Sequence, residues 1–392
     1  MFENTLMSQT AEWSTGIKPW ILRHVESDSS LDKLTKRIMA RGGSPSTVAV
    51  YVKEVLYFCR WMEKEPDEAI ATKQDWPRLV NDYIDYLIAE KKLATSVGSR
   101  VYAAIKKWLD VNGTLSARDS AWGAVELPKL RRVVMDQLPT KPELRRILGA
   151  GDLAEKSLAL VGLSSGMRIG SILALKVKDV DLERKIPVIS PAAETTKNRR
   201  SFVTFCTPEC KEVLLQYLKD RERRGEKVGP ESYLIATERP LGAPITSVSS
   251  GDKRWMNMVT RSGLAKKGKY WDRFHFHVLR KYFKSWTSMS GVSSVVVEYL
   301  MGHRSGLEQV YFLPSNVEKL PEEIIARLQA EYEKAIPALS AMSEDERIAK
   351  LELSVEQKAT DLAAKEGMID ELRSRLTAIE SALLEKKVSV TP

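Results

Sequence analysis

Residues 274–315 read FHFHVLRKYFKSWTSMSGVSSVVVEYLMGHRSGLEQVYFLPS, and the chain is built around them. They hold His277 and Arg280 as an H-x-x-R, His303 directly after a glycine, and Tyr311 eight residues further on. Three of the chain's four histidines lie in this stretch. Imidazoles that donate or accept, a guanidinium with a planar fork of donors, and a phenol form a set suited to holding and attacking a phosphate. Each group alone is more often structural than catalytic, so the stretch gains meaning only if the chain supplies the remaining chemistry.

Breaking a phosphodiester without a metal sets definite requirements. A phenol, with an ordinary pKa near ~10, needs help to ionise before it attacks. Charge spreading over the non-bridging oxygens is held better by fixed guanidinium groups than by flexible ammonium groups. A histidine can donate a hydrogen bond or move a proton, and the leaving 5′ oxygen needs an acid, for which a lysine on a hairpin is suitable. His277, Arg280, His303 and Tyr311 supply part of this set; a second arginine and the acid must come from elsewhere.

Composition narrows the class. At 392 residues, 43% of them apolar, the chain is too long for one ordinary core and rich enough for two. No apolar run approaches the ~20 residues of a membrane span and no signal-peptide pattern opens the sequence, so no membrane partner is expected and the setting reads as cytoplasmic. Three cysteines are too few for a disulfide framework, and Cys206 and Cys210 form a C-x-x-x-C without a second ligand pair, so no metal site is expected. The net charge of +9 is uneven: residues from 341 onward carry 8 basic and 11 acidic groups, which leaves about +12 on the first 340. Basic clusters fall at 197–200, 221–224, 266–269 and 280–284. Such an excess favours a polyanionic partner, because each neutralised phosphate releases counterions. Solvated basic faces would give the same composition, so charge alone does not decide.

Residues 1–28 carry no strong periodicity and are expected to form a flexible lead. Residues 29–123 read as a small all-α domain of four helices. The first carries Leu31, Leu34 and Ile38 and stops at Gly42-Gly43; the second has Ser46 as N-cap and Val48, Val52, Val55, Leu56 and Cys59 on one stripe. The third follows Asp75, with Pro77 in its first turn, and the fourth holds Val101, Ile105, Trp108 and Leu109. Tyr51, Trp61, Trp108 and Trp122 are expected in or at the core rather than stacked on bases. Residues 124–139, with Pro128, read as a linker.

Residues 140–338 read as a mixed domain, so the fold class is mainly α with a small β-sheet. Thr140 and Glu143 form a capping box. A buried helix through 158–163 breaks at Ser164-Ser165-Gly166, and Met167-Arg168-Ile169 opens the next, with Ile172, Leu173 and Leu175 as its apolar face. β-rich runs at 185–190 and 201–205 enclose the polar turn PAAETTKNRR. Residues 339–392 differ in kind: Ile348, Val355, Leu362, Ile369, Leu376 and Leu383 recur every seven residues, with Leu351, Lys358, Lys365, Leu372 and Ile379 three residues after them. This heptad pattern predicts a coiled coil, with a single helix packed back on its own domain as the alternative; the two lysines weaken the middle of the seam and could set register or oligomer state.

With these residues in place, a resemblance becomes specific. GLSSGMRIGSILAL at 162–175, followed by KVKDVD, resembles the first arginine box of the tyrosine recombinases. H-x-L-R at 277–280, L-M-G-H at 300–303 and Tyr311 complete that family's motifs in order, and the preceding helical domain is similar to the family's core-binding domain. The resemblance implies that Arg168 and Arg280 clamp the scissile phosphate, that His277 and His303 contact it and assist proton transfer, and that Tyr311 attacks. Lys197 matches the general-acid lysine, with Lys185, Arg199 and Arg200 as competitors. It further implies a 3′-phosphotyrosyl link with a free 5′ hydroxyl, formed without metal, ATP or another cofactor.

The implied partner is double-stranded DNA, closed in a clamp by the two domains with the clusters at 266–269 and 273–284 on phosphates. Four protomers on two DNA sites, exchanging strands through a Holliday junction, make the implied assembly, and the tail could hold a further partner. Two positions depart from the family pattern: Ser171 stands where an acidic residue is usual, and Tyr311 follows His303 one residue sooner than is common. The short lead leaves no room for a separate arm-binding domain, and the tail is atypical of Xer proteins. The expected role is therefore integration or excision of a mobile element carried by a virus or plasmid and acting in the host cytoplasm or nucleoid. A Xer-like dimer resolvase, a type IB topoisomerase and a non-catalytic DNA-binding protein on the same scaffold are the alternatives.

Overall fold

The structure, a computed structural model, describes residues 17–129, 136–196, 201–265, 274–303, 320–342 and part of 352–376. The chain divides into two compact units, Met1–Met135 and Asp136–Pro392.

The first unit is helical throughout: α1 (Pro19–Ser27), α2 (Ser29–Ala40), α3 (Pro45–Trp61), α4 (Pro66–Ala71), α5 (Trp76–Asp85) and α6 (Ser96–Val111). Val48, Val52, Val55 and Phe58 on α3 and Val101, Ile105 and Trp108 on α6 are all fully buried where the two helices pack. Each such aliphatic side chain stabilises the unit by roughly 1.5–3 kcal/mol. Two long-range polar contacts tie this core together. The Trp108 indole N–H donates to the Ser30 hydroxyl at 2.9 Å, and Arg100 pairs with the buried Glu54 carboxylate at 2.8 Å. Trp122 is buried, and Tyr51 and Trp61 pack against the core, as expected of side chains that fill space.

Two local expectations are corrected. The lead over 1–28 is helical from Pro19 to Ser27, because Ile21 and Val25, one turn apart, are both buried. The second expected helix is capped by Ser44, not Ser46: the Ser44 hydroxyl accepts the Thr47 N–H at 3.2 Å, and Pro45 takes the first helical position, where no donor is needed.

The second unit is mixed. Its helices are α7 (Lys141–Gly149), α8 (Leu153–Ser165), α9 (Ile169–Leu173), α10 (Pro208–Arg223), α11 (Val248–Arg261), α12 (His277–Met289), α13 (Ser294–Leu300), α14 (Glu322–Glu333) and α15 (Ile336–Leu339). β1 (Val180–Asp181), β2 (Val188–Ile189) and β3 (Thr204–Phe205) form an antiparallel sheet with Val180 opposite Ile189 and Ile189 opposite Thr204. β4 (Ala236–Glu238) and β5 (Leu241–Pro244) form a separate hairpin. The Thr140–Glu143 capping box is present at α7, and Asp152 and Glu155 form a second at α8.

Helix α8 is the axle of this unit. Every residue from Ala154 to Ser165 except Lys156 is buried, and α8 packs on α10, α11 and α12. At its end Thr204 donates to the Ser165 carbonyl at 3.1 Å, and the buried Tyr332 hydroxyl donates to the Ser164 carbonyl at 2.8 Å, tying sheet and α14 to one point. Packing continues past the expected limit at 338. Leu339 and Ala341 are 1% exposed, and the Glu209 carboxylate accepts from the Ser340 hydroxyl and the Ala341 N–H. The described tail residues are helical and exposed, including the seam positions Val355, Leu362, Ile369, Leu372 and Leu376.

Candidate active site

The site forms where α8 ends and α12 begins. Gly166, at φ 63°, terminates α8 in a left-handed turn, and Arg168 follows as the extended residue that opens α9. A Cβ on Gly162 would lie 2.6 Å from the Phe276 ring, and one on Gly166 would collide with the Phe283 ring. The two glycines thus allow α12 to lie close against the end of α8, which sets Arg280 beside the turn that carries Arg168.

Arg280 is 4% exposed. Its guanidinium donates to the Gly166 carbonyl, to the Met301 carbonyl at 2.9 Å, and to Nε2 of His303. His303 reaches this position because Gly302, at φ 63°, turns the chain back after α13, so that the His303 N–H donates to the Glu298 carbonyl at 3.0 Å. Nδ1 of His303 donates to the Glu298 carboxylate at 2.5 Å, and Lys284 pairs with the other oxygen of that carboxylate at 2.5 Å. With Nε2 accepting from Arg280, the proton of a neutral ring sits on Nδ1. Although burial pushes the other way, hydrogen bonds from Lys284 and His303 hold the Glu298 carboxyl below the usual carboxylate range.

Electrostatics agree with the geometry. Burial and the neighbouring Arg168 bring the Arg280 guanidinium down to about 10, still protonated at neutral pH. Burial also lowers Arg168. His277 is lowered by burial, then by Arg280, His275, Arg168 and His303; His303 is lowered by burial and Arg280 against the opposing pull of Glu298. The structure therefore brings four expected site residues into one electrostatic cluster of two cations and two neutral imidazoles. No carboxylate contacts either guanidinium among the described residues, and Arg168 makes no hydrogen bond there. Fixed donors without a counter-charge are fitted to an anion.

Ser171, at the position where an acid is usual, is buried and donates to the Thr195 carbonyl at 3.3 Å. It ties the connection between β2 and β3 to α9, one turn beyond Arg168. Lys185 is exposed in the turn between β1 and β2. Lys197, Arg199, Arg200 and Tyr311 lie outside the described residues, as does the cluster at 266–269.

Glu298 and Asp136 are not apparent from motif reading, and Lys284, expected within a basic cluster on phosphates, pairs with Glu298 instead. Glu298 sits in the apolar run of α13, and its signal is a lone carboxylate five residues before a histidine. Lys284 lies one turn beyond Arg280 on α12. Asp136 lies in the expected linker, yet it pairs with Lys281 and contacts His275 Nε2 at 3.3 Å. The His275 ring stacks parallel to His277, with centroids 6.3 Å apart.

A buried and a partly exposed guanidinium, Arg280 and Arg168, thus stand beside two imidazoles on a mainly helical domain, with no carboxylate in contact among the described residues. Residues 135–312 match the phage integrase family, so the chain carries a tyrosine recombinase domain. It is 23% identical over 292 residues to the tyrosine recombinase XerA of Saccharolobus solfataricus, covering 71% of this chain and 86% of that protein. Its fold is similar to a XerH site-specific recombinase bound to palindromic difH substrate in a post-cleavage complex, with TM-score 0.52 and 16% identity over 75% of this chain and 86% of that one. It is also similar to a lambda integrase in a tetramer bound to a Holliday junction, with TM-score 0.52 and 17% identity over 78% of this chain and 88% of that one. At these identities the two structures establish the fold.

Proposed function

We propose that this protein is a site-specific DNA recombinase that cleaves and rejoins strands through a covalent 3′-phosphotyrosine intermediate. The observation that carries the reading is the cluster of Arg168 and Arg280, which no carboxylate contacts among the described residues, beside neutral His277 and His303. The two guanidiniums bind the non-bridging oxygens of the scissile phosphate and stabilise the charge that grows there. The Tyr311 oxygen attacks phosphorus as its proton passes to a histidine, forming the Tyr–O–P bond. The bond from phosphorus to the 5′ oxygen breaks, and Lys197 protonates that oxygen as it leaves. Rejoining reverses these steps with the 5′ hydroxyl of another strand. The ester bond is exchanged rather than hydrolysed, so neither metal nor ATP is required.

The working assembly is a tetramer of this chain on two duplex sites. Its role is integration or excision of a mobile element, for which the added tail is the supporting feature. Resolution of DNA dimers is the second reading, favoured by the likeness to XerA.

The test uses nicked duplexes cut from the DNA bordering the gene, where an integrating element keeps its own site. Wild type should form a protein–DNA adduct that survives denaturation and forms equally well with chelator present, and Tyr311→Phe should form none. An adduct that persists in Tyr311→Phe removes the assigned nucleophile.

A further inference from the structure

We propose that the tail joins two copies of this chain as an antiparallel coiled coil centred between residues 363 and 364. The inference rests on reading the heptads as a seam and is independent of strand cleavage. Val355, Leu362, Ile369 and Leu376 repeat every seven residues and are 66%, 61%, 50% and 59% exposed, while Leu372 of the interleaved set is 61% exposed. The described residues of the tail are all exposed, and none belongs to the core of the second unit. From Val355 to Leu376 the seam runs roughly 32 Å along a helix, a length over which an unpaired aliphatic stripe is costly.

Charge selects the partner and the direction. Lys365 lies on the seam between Leu362 and Ile369. In a parallel pair of identical helices it faces the other copy's Lys365 across the seam, two like charges in one layer. In the antiparallel pair the levels that meet are 365 with 362 and 372 with 355. Each Lys365 then lays its methylene stem over an aliphatic Leu362 of the other copy and carries its ammonium out to solvent. The same alignment sets Glu352 of each helix opposite Arg373 of the other on the seam's flank, giving two opposite-charge pairs by symmetry. Exposed pairs of this kind contribute little to affinity and much to register and direction. The occupant is therefore a second copy of the same segment, running the opposite way.

The native cysteines Cys59, Cys206 and Cys210 are buried, so thiols introduced on the tail of the full-length protein report its pairing. Val355→Cys combined with Leu372→Cys should give covalent dimers under mild oxidation, because the two positions share a layer only across an antiparallel pair. Within one straight helix they are roughly 25 Å apart and cannot bridge. Val355→Cys alone should stay unlinked. Efficient linking of that single variant would show a parallel pair and overturn the proposal, and so would an unlinked double variant or a wild type that sediments as a monomer at all concentrations. Glu352→Arg should weaken the dimer about 5-fold and addition of Arg373→Glu should restore it; absence of that rescue contradicts the register. Cleavage of a single site should equal wild type in every one of these variants, so failure of the pairing and failure of the recombinase reading remain distinguishable.

Discussion

Two buried arginines in the second unit carry opposite assignments. Arg221, on α10, is 1% exposed and places its fork on the Glu226 carboxylate, with further donors on the Tyr233 carbonyl at 2.7 Å and the Leu234 carbonyl at 3.2 Å. Its charge is neutralised within the fold. Arg280 is 4% exposed and is bound by two carbonyls and an imidazole, with no carboxylate in contact among the described residues and a second arginine close enough to lower its pKa. The sequence around each shows a basic residue on an amphipathic helix. The difference is where the compensating charge sits: inside the chain for Arg221 and, in the proposed function, on a bound phosphate for Arg280.

That contrast is open to direct attack. Arg221→Met leaves Glu226 buried without its cation and should cost about 3–5 kcal/mol, read as a large drop in melting temperature. Cleavage per folded molecule, measured below that temperature, should stay near wild type. Arg280→Lys keeps the charge and loses the fork, so thermal stability should change less than in Arg221→Met, while strand cleavage falls on the order of 100-fold with DNA still bound. Gly162→Ala forces a methyl group against the Phe276 ring and should cost about 1–3 kcal/mol by prying α12 from α8, with cleavage falling alongside. The smallest effect is expected from Glu298→Gln, about 10-fold in cleavage rate. Because Glu298 raises His303, its loss should also move the acid limb of the rate profile to lower pH.

The histidines give a pH dependence with a fixed sign. His277 and His303 are depressed in the folded state, so between that lowered value and the ordinary ~6.5 the unfolded chain binds more protons than the folded one. Stability should therefore fall as pH drops below ~6.5, and level off once both rings are charged in the fold as well. A melting curve that is flat from pH 7 to 5 for wild type and for His277→Gln alike would contradict this.

Much of the site was legible because its parts lie in short segments with their own local signals. Ser164-Ser165-Gly166 marks the end of α8, and the next two residues deliver Arg168; H-x-L-R puts His277 and Arg280 one turn apart. The Thr140–Glu143 capping box and the β-rich runs that hold β2 and β3 were equally readable, since each depends on residues near in sequence. What escaped depends on three-dimensional return. Glu298 reads as an interruption of an apolar helix until Gly302 folds His303 back onto it, and Asp136 reads as linker until Lys281 and His275 meet it. The helix at Pro19–Ser27 is only nine residues long, with Trp20, Ile21, Leu22 and Val25 as its apolar positions, too short for a clear periodic signal, and its stability comes from burying Ile21 and Val25 against its neighbours.

The claim that Arg280 is left uncompensated for a phosphate is tested most directly by single-turnover formation of the covalent protein–DNA link at saturating nicked DNA, with wild type, Arg280→Lys and Arg221→Met side by side. The account predicts a rate for Arg280→Lys lower on the order of 100-fold, with DNA affinity within a few-fold of wild type, and a wild-type rate for folded Arg221→Met. Equal rates for Arg280→Lys and wild type would contradict it.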